Sequence, residues 1–178
     1  MTPRLPVLDG ASPHLLAHRS LLEESARLGP VADLACGRGR NAVEVGKWGL
    51  PVVGVDRNRE FLTELQSRAR GTPVRGVRAD LESRTPLPLA LGCCGAVLVF
   101  RFLYRPLAPS LETLLAPGGV LLYETFTVAQ AERPGGPKNP AFLLAPGELA
   151  GLFPGLETLS CEDDGSDGLA RLVARRPR

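Results

Sequence analysis

Five short aliphatic runs, at 31–36, 51–56, 74–79, 95–100 and 120–125, recur along this chain with helical patterning between most of them. No other feature narrows the fold as much. Strands that alternate with helices are joined by right-handed crossovers and lie parallel in a sheet covered on both faces. The first run leads straight into Gly37-Arg38-Gly39, and the pattern then predicts a helix over 40–48. Asn58 is placed to cap the next helix, in which Phe61, Leu62 and Leu65 share a face. A further helix is expected over 106–115, with Leu107, Leu111 and Leu114 in a stripe and the prolines confined to the first turn.

The ends of the chain complete this pattern. Ser12-Pro13 combines a hydroxyl cap with a proline at the first helical position, and Gly29-Pro30 ends that element. Near the other end, after a short helix over 147–153, the runs 156–161 and 169–174 flank Asp163-Asp164-Gly165-Ser166-Asp167-Gly168. That linker is turn chemistry, too short for a crossover helix, so the last two strands should be antiparallel. The expected fold is α/β: a doubly wound, seven-stranded sheet, mostly parallel, with an antiparallel C-terminal hairpin strand. With 178 residues and no internal repeat or linker, one domain is expected over 1–178, a capping helix at 1–29 preceding a core at 30–178.

The chemistry concentrates around Asp33-Leu34-Ala35-Cys36-Gly37-Arg38-Gly39-Arg40-Asn41-Ala42. Glycines directly after a first strand let a ligand approach the backbone at a helix N-terminus. Asp56 ends the second run, 17 residues past Gly39, where an acid can accept hydrogen bonds from ribose hydroxyls. Together these residues describe an adenosine site. Ala42 would satisfy the last position of a dinucleotide fingerprint, but Asp33 sets a carboxylate where a pyrophosphate would have to lie. A ligand carrying a sulfonium and an ammonium suits that carboxylate, which points to S-adenosylmethionine.

At this point the sequence resembles the class I S-adenosylmethionine-dependent methyltransferases, whose fold is Rossmann-like. Asp33-Leu34-Ala35-Cys36-Gly37-Arg38-Gly39 looks like their first motif and Asp56 like their ribose acid. Ala79-Asp80-Leu81 looks like their adenine contact, and Leu115-Ala116-Pro117-Gly118-Gly119 is similar to the turn before their fifth strand. The resemblance implies S-adenosylmethionine as methyl donor and S-adenosylhomocysteine as product. It implies a cofactor site drawn from Asp33, Ala35, Cys36, Gly37, Gly39, Asn41, Asp56, Arg57, Asp80, Leu81, Phe100 and Arg101. Within the class, Cys36-Gly37-Arg38-Gly39-Arg40-Asn41 and the small size look like the tellurite-resistance-type enzymes, whose neighbourhood takes metalloid oxyanions, thiols and other small nucleophiles.

Methyl transfer from a sulfonium is an in-line displacement, so placement and water exclusion carry much of the rate and a general base is optional. Catalytic candidates therefore belong at strand tips. Arg101 and Tyr104 follow the fourth run and Glu124 lies in the fifth. Arg101 and Arg105 suit an anionic substrate, while Tyr104 or Glu124 can orient or deprotonate a nucleophile. The irregular run 128–145 is long enough for a lid, with Arg133, Lys138, Asn139 and Phe142 as candidate contacts and Gly135-Gly136 as a hinge.

Composition bounds the partners. The net charge of +2 gives no basis for a nucleic-acid partner, and Phe100-Arg101-Phe102 stands where amino-methylating enzymes of nucleic acids carry an acid or amide before two prolines. No apolar run reaches the roughly 18 residues of a membrane span, and the first residues lack a secretory core, so a cytoplasmic protein without membrane contact is expected. The four cysteines lack zinc spacing, and His14 and His18, one helical turn apart, lack a third ligand, so no metal is expected. The expected partner is a small-molecule substrate, acting on a monomer or homodimer. Two other readings are a nicotinamide-dependent oxidoreductase, for which the chain offers no separate catalytic domain, and a non-catalytic S-adenosylmethionine-binding protein.

Overall fold

A computed structural model describes residues 10–83, 85–163 and 166–178. The turn residues Asp164 and Gly165, and the first nine residues of the N-terminal segment, lie outside the described residues. Five strands come first: β1 (Val31–Leu34), β2 (Val52–Asp56), β3 (Val74–Arg78), β4 (Cys94–Phe100) and β5 (Leu115–Phe126). β6 (Glu157–Glu162) and β7 (Leu169–Arg175) follow them. The sheet order is β3-β2-β1-β4-β5-β7-β6. β1 pairs parallel with β2 and β4, whereas β7 runs antiparallel to β5 and β6. The expected α/β architecture, hairpin included, is the one observed.

Burial explains why these segments are strands. Every residue of β1 and β4 is buried, as central strands covered on both faces must be. On β4 the side chains alternate: Val97 and Val99 join the core beneath α5 (Ala108–Leu114), and Ala96, Leu98 and Phe100 join the opposite one. That opposite core includes Leu15 from α1 (Pro13–Ala17), Leu22 from α2 (Arg19–Ser25), Val43 and Val45 from α3 (Arg40–Lys47), and Leu62 and Leu65 from α4 (Arg59–Arg68). Each such side chain contributes roughly 1.5–3 kcal/mol on leaving water. The Asn58 side chain caps α4, accepting from the Glu60 and Phe61 amides at 2.9 and 3.3 Å. Strand order reverses between β1 and β4, so the crevice of the fold opens at their carboxyl ends.

Three local expectations are corrected. The single N-terminal helix is two, because His18 Nδ1 bonds the His14 carbonyl at 2.8 Å while the His18 amide turns to Leu15 O. The side chain thereby displaces the amide that would have continued the helix. Leu115 to Gly119 is part of β5: Leu115 pairs with Cys94, the register shifts, and Val120 resumes opposite Ala96. The stretch 128–145 holds two 3-10 turns, Val128–Glu132 and Pro140–Phe142, and a bridge between Thr127 and Leu144 ties its ends. Among the described residues no helix is long and apolar enough to cross a membrane.

Candidate functional site

The crevice is built from the strand tips. Directly after β1, Ala35 holds a left-handed φ of 56°, and the Cys36 amide donates to Val55 O at 3.0 Å. The chain then turns through Gly37 and Gly39 into α3. The two glycines serve different ends. A Cβ on Gly37 would meet nothing within 4 Å, so its face is open to the crevice. A Cβ on Gly39 would stand 2.1 Å from Leu65 Cδ1, so this glycine lets α3 pack on α4.

Asp56, at the tip of β2, braces that loop. Its Oδ2 accepts from the Gly37 amide and its Oδ1 from the Asn58 amide, both at 2.8 Å. Each oxygen keeps a further lone pair. The carboxylate lines a cavity of about 510 Å³ together with Ala35, Phe61, Asp80 and Leu81. Arg57 lines it too, but its guanidinium is engaged by Glu82 at 2.7 Å and lies 3.9 Å from Asp80. Asp80 in turn accepts from the Glu82 amide at 3.0 Å.

Arg101, directly after β4, is the hub. Its φ is 57°, its amide donates to Glu124 O at 2.7 Å, and its guanidinium lies 5.0 Å from the Phe126 ring centroid. It lines the 510 Å³ cavity and three others. One of about 380 Å³ faces Ala35, Cys36, Gly37 and Phe100; one of about 190 Å³ is walled by Phe102, Thr125, Phe126 and Phe142; one of about 280 Å³ faces Ser12, Glu124 and Arg171. Ala35 and Arg101, the two non-glycine residues with positive φ among those described, stand on adjacent strands at the reversal of strand order. Each costs roughly 1–2 kcal/mol of backbone strain, which the surrounding structure must hold.

The remaining expected residues divide. Asp33 lies in β1 behind the loop, fully buried and outside the lining of these cavities; its Oδ2 has no partner. Burial pushes its carboxyl up to about 7, against the opposing effects of the Ala42 amide and the Arg40 charge. Burial likewise drives the Cys36 thiol far above its ordinary range, so it is not a nucleophile at neutral pH. Asn41 Oδ1 accepts from the Ser12 amide at 2.9 Å, which ties the N-terminal segment to α3. Glu124 is buried, accepting from Ser12 Oγ at 3.1 and 3.2 Å and from Arg171 Nε at 3.2 Å. Tyr104 packs half-buried against the core beside α5, away from these cavities.

Several candidate substrate contacts are already spent on the fold. Arg105, expected to hold an anion, pairs with Glu148 and donates to Ala141 O and Leu143 O at 3.0 and 2.9 Å. Lys138 Nζ donates to backbone carbonyls of Gln130, Ala131 and Arg133. Arg133 reaches Ser166 O, and Asn139 caps the second 3-10 turn through the Ala141 amide. Phe142 alone of that group lines the crevice. His14 and His18 meet edge-on at 4.8 Å between ring centroids, and each has a ring nitrogen at a backbone carbonyl. Arg40, Phe61, Phe126 and Gln130, to which the sequence assigns no site role, also line the 380 Å³ cavity. Arg40 was findable, since it directly follows Gly39 at the first position of α3.

Against known proteins, residues 31–119 match the family described as "Methyltransferase domain". No curated protein matches the sequence. Among solved structures, the chain is similar to an S-adenosylmethionine-dependent methyltransferase from Mesorhizobium loti, at TM-score 0.70 and 17% identity, over 90% of this chain and 96% of that one. It is similar to TehB from Haemophilus influenzae at TM-score 0.68 and 16% identity, over 89% of this chain and 62% of that one. It is also similar to the [4+2]-cyclase SpnF at TM-score 0.67 and 19% identity, over 97% and 86% of the two chains. At such identities these likenesses speak for the fold.

Proposed function

The chain belongs to the methyltransferase-domain family, and from that premise we propose that it transfers a methyl group from S-adenosylmethionine to a small-molecule nucleophile. The observation that carries this reading is the loop between β1 and α3. Its Gly37 face is open, and Asp56, which lines the 510 Å³ cavity, braces it with acceptor capacity to spare.

The residues present fit such a cofactor. Asp56 retains acceptor capacity for two ribose hydroxyls, and Asp80 with Leu81 offers an acceptor and an apolar wall for a purine amine and ring. Gly37 leaves room for a ligand to pass close to the backbone. The unpartnered, buried Oδ2 of Asp33 supplies the negative end of a field that a cationic ligand would satisfy. When bound, S-adenosylmethionine supplies a methyl group on a sulfonium, a carbon activated for in-line displacement.

The chain's own contribution is placement. Arg101 is fixed by its backbone bond to Glu124 and by the Phe126 ring, so it presents its guanidinium where the cavities meet. Phe102, Phe126 and Phe142 wall the neighbouring pocket and exclude water from an acceptor seated there. Glu124 is held by Ser12 and Arg171 as a fixed negative charge beside the acceptor side of Arg101. The small cavities favour a small acceptor over a nucleic acid or peptide. The finer likeness to tellurite-resistance-type enzymes rests on Gly39-Arg40-Asn41 and on a fold shared with TehB.

A screen with methyl-labelled S-adenosylmethionine against small oxygen, nitrogen, sulfur and metalloid nucleophiles tests the transfer. Label appearing in an acceptor, dependent on protein, is the expected result. Intact cofactor binding with no transfer across all four classes would favour a non-catalytic or otherwise reactive S-adenosylmethionine-binding protein. The likeness to a [4+2]-cyclase keeps that second reading in view.

A further inference from the structure

We infer that Arg40 and Arg101 form a receptor for an anionic group of the methyl acceptor, a carboxylate or a comparably small oxyanion. The inference rests on the methyl-donor reading of the adjoining cleft. Arg40 and Arg101 both line the 380 Å³ cavity at the β1 loop and the 280 Å³ cavity as well, so the two cavities share them. The second cavity presents Arg40, Arg101 and Arg171 against a single carboxylate, Glu124. Glu124 and Arg171 satisfy one another at 3.2 Å, and Arg171 also holds Asp167 at 2.6 Å.

That leaves two cations over. Among the described residues neither Arg40 nor Arg101 has a carboxylate within ion-pair distance. Arg40 donates one nitrogen to Gly10 O at 3.0 Å, and its other terminal nitrogen is buried without a partner. Arg101 Nε is buried without a partner as well. Burial disfavours the charged form of Arg40 and the nearby Arg101 charge adds to this, against the opposing effects of Glu124 and Asp33. Two like charges with orphaned donors are costly in a folded chain, and Arg101 is held there on a left-handed backbone in addition. A carboxylate or oxyanion resolves the charge repulsion and the orphaned donors together, since a planar guanidinium offers two parallel donors to two oxygens. The 280 Å³ volume confines that ligand to a small molecule. Arg101 lines this cavity, the 510 Å³ donor cleft and the phenylalanine-walled pocket alike, so an anion held there borders an acceptor seated beside Arg101.

The anion could instead be the carboxylate of the cofactor's own amino-acid tail, and the test separates the two. Full-length protein saturated with S-adenosylhomocysteine is titrated with acetate, malonate and inorganic phosphate, followed by thermal denaturation. Saturable stabilisation by at least one probe is expected, weakened about tenfold or more in Arg40→Gln and in Arg101→Gln and partly restored in Arg101→Lys. Affinity for S-adenosylhomocysteine should stay within about threefold in Arg40→Gln, whose side chain is not part of the 510 Å³ cavity. If Arg40→Gln instead loses S-adenosylhomocysteine about tenfold while keeping 5′-methylthioadenosine, which lacks the carboxylate, the arginine pair serves the cofactor and the inference is overturned. It is overturned equally if the saturated wild type binds none of the probes. If the wild type fails to bind S-adenosylhomocysteine at all, the methyl-donor reading fails and this inference falls with it. Arg40 lies on the first turn of α3 with an ordinary backbone, so Arg40→Gln folds even where the strained Arg101 position proves intolerant.

Discussion

Replacing Asp33 by asparagine should change how the stability of this protein depends on pH. The carboxyl is fully buried between β2 and β4, opposite Gly54 and Leu98, and one of its oxygens has no partner. Burial raises it from its ordinary 3.8 to about 7, with the Asp56 charge adding to the rise. The folded protein therefore holds a proton at Asp33 that the unfolded chain has released. Stability from that proton is fully present below about pH 4 and is lost as pH rises to about 7. A rise of that size corresponds to about 4 kcal/mol, at about 1.4 kcal/mol per pH unit.

Asparagine keeps the shape and an oxygen for the Ala42 amide but never ionises. Relative to wild type, Asp33→Asn should be near neutral at about pH 4 and more stable by about 4 kcal/mol at about pH 8. Urea denaturation of both proteins across that range measures the difference, in which the titrations they share cancel. A difference that does not change with pH would refute the burial argument. On the proposed function, the ammonium of a bound ligand near the β1 loop favours the ionised form of Asp33. Binding of S-adenosylhomocysteine at about pH 6.5 should then release protons, seen by calorimetry in buffers of different ionisation enthalpy, and the asparagine variant should release fewer.

Other residues give sharper single outcomes. Asp56→Ala should weaken S-adenosylhomocysteine binding by roughly 1.5–3 kcal/mol, and unchanged affinity by calorimetry would remove Asp56 from the site. Because Asp56 also accepts from the Gly37 and Asn58 amides, the same variant should melt earlier. Gly39→Ala adds a methyl against Leu65 Cδ1 at 2.1 Å on a φ of 79°, so a loss of about 2–4 kcal/mol is expected in denaturant titration. Arg105→Met should cost about 1–2 kcal/mol by freeing Glu148 and the carbonyls of Ala141 and Leu143. A loss of substrate binding with unchanged stability would return Arg105 to the acceptor site.

The legible parts of this fold are those governed by local pattern. β4 was readable because its residues are all buried aliphatic, cysteine, glycine or phenylalanine, and Asp56 because an acid closes a strand at a fixed distance from a glycine turn. The break at His18 was not, since a ring nitrogen competing for the His14 carbonyl leaves the hydrophobic period untouched. Leu115-Ala116-Pro117-Gly118-Gly119 reads as a turn, yet β7 draws it into the sheet through the Gly118 amide to Arg176 O and the Arg176 amide to Gly119 O. Arg105 looked like a substrate contact because its partners lie 36 to 43 residues further along the chain. The isolation of Arg40 and Arg101 is likewise a fact of space: both stand beside motif residues in the sequence, and only the fold shows that, among the described residues, no carboxylate lies within ion-pair distance of either.

The most direct measurement is a calorimetric titration of the protein with S-adenosylhomocysteine, beside titrations with NAD and NADP. One-to-one binding of S-adenosylhomocysteine at micromolar affinity, with no heat from either nicotinamide cofactor, is the expected result. Binding of NAD or NADP in place of S-adenosylhomocysteine would contradict it, and would mean that the cleft between β1 and β4 serves a dinucleotide despite Asp33.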